Sequence, residues 1–227
     1  MLMLTNFLSV LALETFYSLL IIIPCLIIFF RFSNMYRFSN YKGLKYVKNA
    51  FLFFVVAFFL RYLVMLNRLF VGEFTGTIAD FNALLFLMIF FMTLPGFFLL
   101  YSLIWKKFEV KKYSSKPLNL QVSIIYLLAI IVALFDYLNH SFLFMYSSQI
   151  IVYFIASVIA YKNYVGDKKL LKQFYLIAML LLLVAMILNL IAQYTIDAFP
   201  QMRLYTYALT VLVIFVFLKI SKGLDNG

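Results

Sequence analysis

Residues 174–194 read FYLIAMLLLLVAMILNLIAQY, a run with no charged residue and with Asn189 and Gln193 as its amide interruptions. At about 1.5 Å of rise per residue, a helix of this length crosses the roughly 30 Å of bilayer hydrocarbon. A helix satisfies every backbone group within itself, as lipid demands, and the run lacks the alternation that a barrel strand would show. It is read as a transmembrane helix. Working outward, six more segments of the same kind follow, near residues 7–30, 50–70, 81–105, 118–138, 142–161 and 202–218. The spacing predicts an all-α, seven-helix membrane bundle formed as a single integral membrane domain over residues 1–227.

Composition agrees. The chain is 67% hydrophobic and 12% charged, with a mean hydropathy of +1.05, whereas a soluble domain has about 45–50% apolar and 25% charged residues. The least marked boundary separates the fourth and fifth spans, where Asn139, His140 and Ser141 interrupt the apolar run. Either the turn there is tight or the interface falls nearer Ser147, Ser148 and Gln149. The opening MLMLTNFLSV has no basic residue ahead of its apolar run, so a retained first helix is expected rather than a cleaved signal.

Charge orients the bundle. Sixteen of the nineteen basic residues fall in one set of loops: Arg31 to Lys48, Lys106 to Lys116, Lys162 to Lys172, and Lys219 with Lys222. Arg61, Arg68 and Arg203 fall on the other side, with Glu14, Glu73, Asp80, Asp136 and Asp197. The positive-inside rule then puts the N-terminus outside and the C-terminus in the cytoplasm, with the cell membrane as the expected location. The net charge of +11 follows from this asymmetry. Besides the bilayer itself, the expected partners are anionic inner-leaflet lipids at these Lys/Arg loops and a cytoplasmic protein. Nucleic acid is not expected, since the basic residues lie in short loops without a reading module.

The single Cys25 and single His140 exclude a disulfide within the chain, a CxxC pair, a four-ligand Cys/His zinc site and a paired-histidine haem site. Hydrolase and metalloprotease motifs are missing as well. The expectation is a non-enzyme with no cofactor and no metal.

An odd helix count permits a three-plus-one-plus-three arrangement, the plan of small PQ-loop and SWEET-type sugar carriers. Their marker residues are absent: the proline of span one is followed by Cys25, span five has no proline, and Pro200-Gln201 lies on the outer side. Lys219 sits at the inner end of the last span, so a retinal-binding lysine is absent. The sequence of span three ends Tyr101-Ser102-Leu103 where a class A receptor would have Asp-Arg-Tyr. The seven-helix sensor regions of membrane kinases share the topology, without assigning this chain to a family.

Polar groups within spans are the informative residues, because a charge at membrane depth is expensive and usually faces protein or water. Counting about 1.5 Å per residue from the nearest inner basic residue puts Arg61 about 20 Å up, Arg203 about 24 Å, Glu14 and Asn189 about 26 Å, and Asp136 about 30 Å. With His140 and Gln193, these form one layer in the outer third of the membrane. Ion pairs such as Glu14–Arg61 and Asp136–Arg203 are expected, against the plainer reading that the arginines snorkel to the headgroups. Asp136 and His140 are four apart, as are Asn189 and Gln193, so each pair shares a helix face. The first would make a pH-sensitive pair, with a solvated loop histidine as the bland alternative. The layer, with Tyr194 and Tyr205 beside it, would line a small outward-opening binding pocket. Ala129 with Ala133, and Ala156 with Ala160, offer small-residue seams for spans four and five. Gly96 is the one glycine within a span. The leading expectation is a receptor-like or sensory membrane protein. The alternatives are a small transporter or channel using the same layer, and a non-catalytic assembly subunit.

Overall fold

A computed structural model describes residues 2–71, 78–109, 120–166, 170–195 and 202–225. These residues form seven helices: α1 (Leu2–Ser39), α2 (Lys42–Val71), α3 (Ile78–Glu109), α4 (Leu120–Leu138), α5 (Leu143–Gly166), α6 (Leu170–Thr195) and α7 (Met202–Asp225). All seven are long and apolar enough to cross a membrane, and the described residues contain no strand. The protein is a multi-pass, all-helical membrane protein. Several helices outrun the expected spans. α1, for instance, is 38 residues long and continues past Phe30 through Arg31 and Arg37. Apolarity marks the part of a helix that lies in lipid, whereas the backbone ladder continues into the polar flanks until a residue breaks it.

Two described turns show what breaks it. After α1, Asn40 takes a left-handed conformation with φ of 50° and donates its N–H to Tyr36 O at 2.9 Å. Asparagine tolerates that region better than most residues, so it terminates the helix. Between α4 and α5, residues 139–142 make a tight turn with His140 at φ 48°. The three residues that interrupt the apolar run, Asn139, His140 and Ser141, are thus the corner itself.

Among the described residues, six helices close a ring in the order α1, α2, α3, α5, α6, α7 and back to α1, each packing on the next. α4 stands outside this ring against α3 and α5. The ring consists of two arcs, α1–α2–α3 and α5–α6–α7, which run in the same up-down sense and meet at the α3–α5 and α7–α1 seams. This contact order matches the three-plus-one-plus-three plan that the helix count permits.

At the lower end, which holds the α1–α2 turn, the interior is closed by packed side chains. Ile28, Phe32, Phe51, Phe98, Leu99 and Phe217 are all buried there. Polar ties cross the same region: Tyr175 and Ser102 hydroxyls lie 2.8 Å apart between α6 and α3, and Arg31 donates to Ser221 Oγ at 3.4 Å between α1 and α7. Three lysines of this end, Lys48, Lys106 and Lys219, lie near aromatic rings. Lys48 Nζ is 5.7 Å from the Phe29 and Tyr36 centroids, and Lys106 Nζ is 5.2 Å from that of Tyr41. Lys111, Lys112, Lys116, Lys168 and Lys169 lie outside the described residues.

Candidate functional site

The upper end, which holds the α4–α5 turn, contains a cavity of about 410 Å³ inside the ring. Its polar wall is made by Arg61 of α2, Asn189 and Gln193 of α6, and Thr206 and Tyr207 of α7. Its apolar wall is rich in methionine, with Met65, Met88, Met92 and Met145 from three helices. Methionine is flexible and polarisable, so such a wall adapts to the shape of what it touches. Beneath lies a second chamber of about 80 Å³, which shares Arg61, Met92, Met145, Tyr146 and Asn189 with the first. Below those shared residues the lining turns mostly apolar, with Cys25, Phe51, Leu182, Ile214 and Phe217, alongside Gln149 and Thr210.

Arg61 marks the junction of the two chambers. Its Nη2 donates to the Tyr207 hydroxyl at 2.9 Å. Tyr207 stacks on Tyr17 of α1 with centroids 3.8 Å apart, and the guanidinium carbon is 5.2 Å from each centroid. Rings so close leave no room between them, so the guanidinium sits beside the stack. A charge-assisted bond to the hydroxyl holds it there. This cluster joins α1, α2 and α7, and Thr15 Oγ1 donating to the Tyr62 hydroxyl at 3.3 Å adds a second α1–α2 tie.

Asn189 donates Nδ2 to Ala185 O at 2.8 Å, one turn back on its own helix. That bond fixes the amide orientation and leaves Oδ1 as the group it presents. One turn further up, Gln193 Oε1 is buried and makes no hydrogen bond among the described residues. Both acceptors sit on the face of α6 that lines the cavity.

The seam between α3 and α5 forms another wall. Gln149 is 2% exposed and donates Nε2 to Thr93 O at 2.8 Å. Its Oε1 rests against Gly96, where any Cβ would collide with it. Gly96 therefore permits a close approach, which accounts for a glycine within an otherwise glycine-poor set of spans.

Of the seven residues expected to form the site, Arg61, Asn189 and Gln193 are brought to one cavity. Asp136 is not among its lining residues. Its carboxylate accepts the N–H groups of Phe144 at 2.8 Å and Met145 at 2.7 Å, so it caps the start of α5 from the preceding helix. Those donors are among the first N–H groups of a helix, which have no partner within it. The buried carboxylate is thus engaged with α5 rather than with His140, and the expected Asp136–Arg203 pair lies outside the described residues. His140 is exposed at the turn. The side chains of Glu14 and Arg203 lie outside the described residues, as does any Glu14–Arg61 pair.

Tyr194 and Tyr205 do not line the cavity; they are 67% and 60% exposed, and Thr206 and Tyr207 face inward instead. The sequence reading missed Tyr17, Tyr146, Thr206 and Tyr207. Their one signal was spacing: Tyr207 lies four residues after Arg203, and Tyr17 three after Glu14, on the faces those charges indicated.

Comparison with known proteins adds little to this geometry. The chain is 39% identical to an uncharacterized protein of Archaeoglobus fulgidus over 59 residues, which is 26% of this chain and 26% of that protein. The likeness thus spans about a quarter of the relative's length. No family model matches the chain, and no solved structure matches it.

Proposed function

We propose that this protein is a receptor-like or sensory membrane protein whose upper cavity is a ligand site open to the outside. The observation that carries the reading is the 410 Å³ cavity, polar on one wall and adaptable on the other, above a floor of packed aromatic and aliphatic side chains. A floor of that kind favours binding over conduction, because a continuous path would need polar groups or a gap through it. Orientation rests on charge: the basic loops belong to the cytoplasmic face, which leaves the cavity facing outward at the cell membrane. Those loops would contact anionic inner-leaflet lipid or a cytoplasmic protein that receives the signal.

Transport is the second reading, favoured by the two equally oriented arcs with the cavity between them. Rocking of one arc against the other would open the cavity below. Side-specific labelling separates the two. In a Cys25→Ser background, Asn189→Cys is exposed to an impermeant thiol reagent from either face of sealed vesicles. Labelling from the outer face alone is expected for the receptor, whereas labelling from both faces would favour transport. Protection from both faces would overturn the ligand-site reading and leave a structural or assembly role.

A further inference from the structure

The lining of the two chambers restricts what the cavity can hold. On α6, Asn189 lines the cavity with its Nδ2 already donated, which leaves Oδ1 to accept, and Gln193 Oε1 is buried without a partner among the described residues, an unfavourable state. An anionic head without a proton, such as a sulfate ester, would suit Arg61 but has nothing to donate to these oxygens. A cationic head would approach Arg61 across the cavity, a like charge in a medium of low dielectric. A hydroxyl meets both demands: it donates to an amide oxygen and carries no charge to set against Arg61.

The lower chamber sets the rest of the molecule. It measures about 80 Å³, and below Asn189 its walls are mostly apolar, with Cys25, Phe51, Leu182, Ile214 and Phe217 outnumbering the polar Gln149 and Thr210. Cavities lined in this way hold apolar groups in preference to water. The chamber opens at Arg61 and Asn189, the residues it shares with the upper cavity. A head seated on α6 therefore has a short apolar chain's length of space directly beneath it.

We propose that the cavity binds an uncharged, hydroxyl-bearing amphiphile, its head on Asn189 and Gln193 and its short apolar chain in the lower chamber. This rests on the reading of the cavity as a ligand site. The same chemistry is met in a water-soluble alcohol and in a membrane-borne one, and chain length distinguishes them. A chamber of fixed depth selects a chain length, whereas partition into the bilayer rises with every methylene.

The test uses the full chain in lipid nanodiscs, photolabelled with a diazirine-bearing octanol and mapped by mass spectrometry. Label is expected on Met145 and Tyr146, displaced by 1-octanol and not by octyl sulfate or octyltrimethylammonium. Across the series from 1-butanol to 1-dodecanol, competition should rise to an optimum and then fall. An optimum at six carbons or fewer assigns a soluble ligand, and a longer one a membrane alcohol. Gln193→Leu should weaken competition by about fivefold, the effect of one lost hydrogen bond. Equal or better competition by octyl sulfate would overturn the hydroxyl head while the ligand site stands. Steadily rising competition with chain length at those residues would overturn the placing of the chain in the lower chamber. Label confined to outward-facing residues such as Phe154 and Leu180 would overturn both the inference and the ligand site beneath it.

Discussion

Asp136 and Arg61 show how one charged residue inside a membrane protein acquires its task from its surroundings. Asp136 holds two backbone N–H groups of α5, so Asp136→Ala should destabilise the protein by about 1–3 kcal/mol, the cost of stripping buried donors of their acceptor. Asp136→Asn, which keeps one acceptor, should cost less. Unfolding in mixed micelles would measure both, and equal stability of the alanine variant and the native chain would refute the cap. The same assay applies to Tyr207→Phe, which removes the hydroxyl that Arg61 engages but keeps the ring stack. The expected loss is about 0.6–2 kcal/mol, the range for hydrogen bonds between membrane helices. The sequence announced both charges by their cost in lipid. It could not announce the cap, because the donors are backbone groups eight and nine residues further on, and every residue type except proline supplies those.

Elements depend on close approach where side chains permit it. The α3–α5 seam is narrow because Gly96 has no Cβ at the place where Gln149 inserts. Gly96→Ala should therefore destabilise the bundle by about 1–3 kcal/mol through overpacking. The double variant with Gln149→Ala should recover part of that loss, and a strictly additive cycle would separate the two residues. Ala129, Ala133, Ala156 and Ala160 are all buried, in agreement with the small-residue faces read from the sequence. Ala129→Leu should likewise push α4 from its place beside α3 and α5, seen as a lower unfolding midpoint. Helix existence and order were legible at this scale, since each span is a predominantly apolar run of membrane-crossing length. Helix ends were less so: polar flanks such as Arg31 to Arg37 carry no hydrophobic signal, and the ladder continues through them.

For the molecule as a whole, the arrangement that matters is a six-helix ring with α4 outside it and a cavity at one end. The basic residues gather at the opposite end, where Lys48 and Lys106 lie beside aromatic rings. If that end faces the cytoplasmic leaflet, the protein should unfold later in bilayers containing anionic lipid than in zwitterionic ones. The gain should shrink as salt is raised and in the variant with Lys48→Gln and Lys106→Gln. A gain independent of salt would argue against an electrostatic lipid contact.

Amino-acid order alone determined that the chain is helical and that seven of its segments suit a membrane. Lipid forces those results, because it forbids an unpaired backbone and penalises charge, and rise along a helix is fixed at about 1.5 Å per residue. The tertiary structure alone decided which residues of one height meet. Rotation of a helix about its axis and its choice of neighbours are set by packing. Asn189 and Gln193 were thereby turned toward Arg61, Asp136 toward the start of α5, and Tyr205 away from the cavity that its neighbours Thr206 and Tyr207 line.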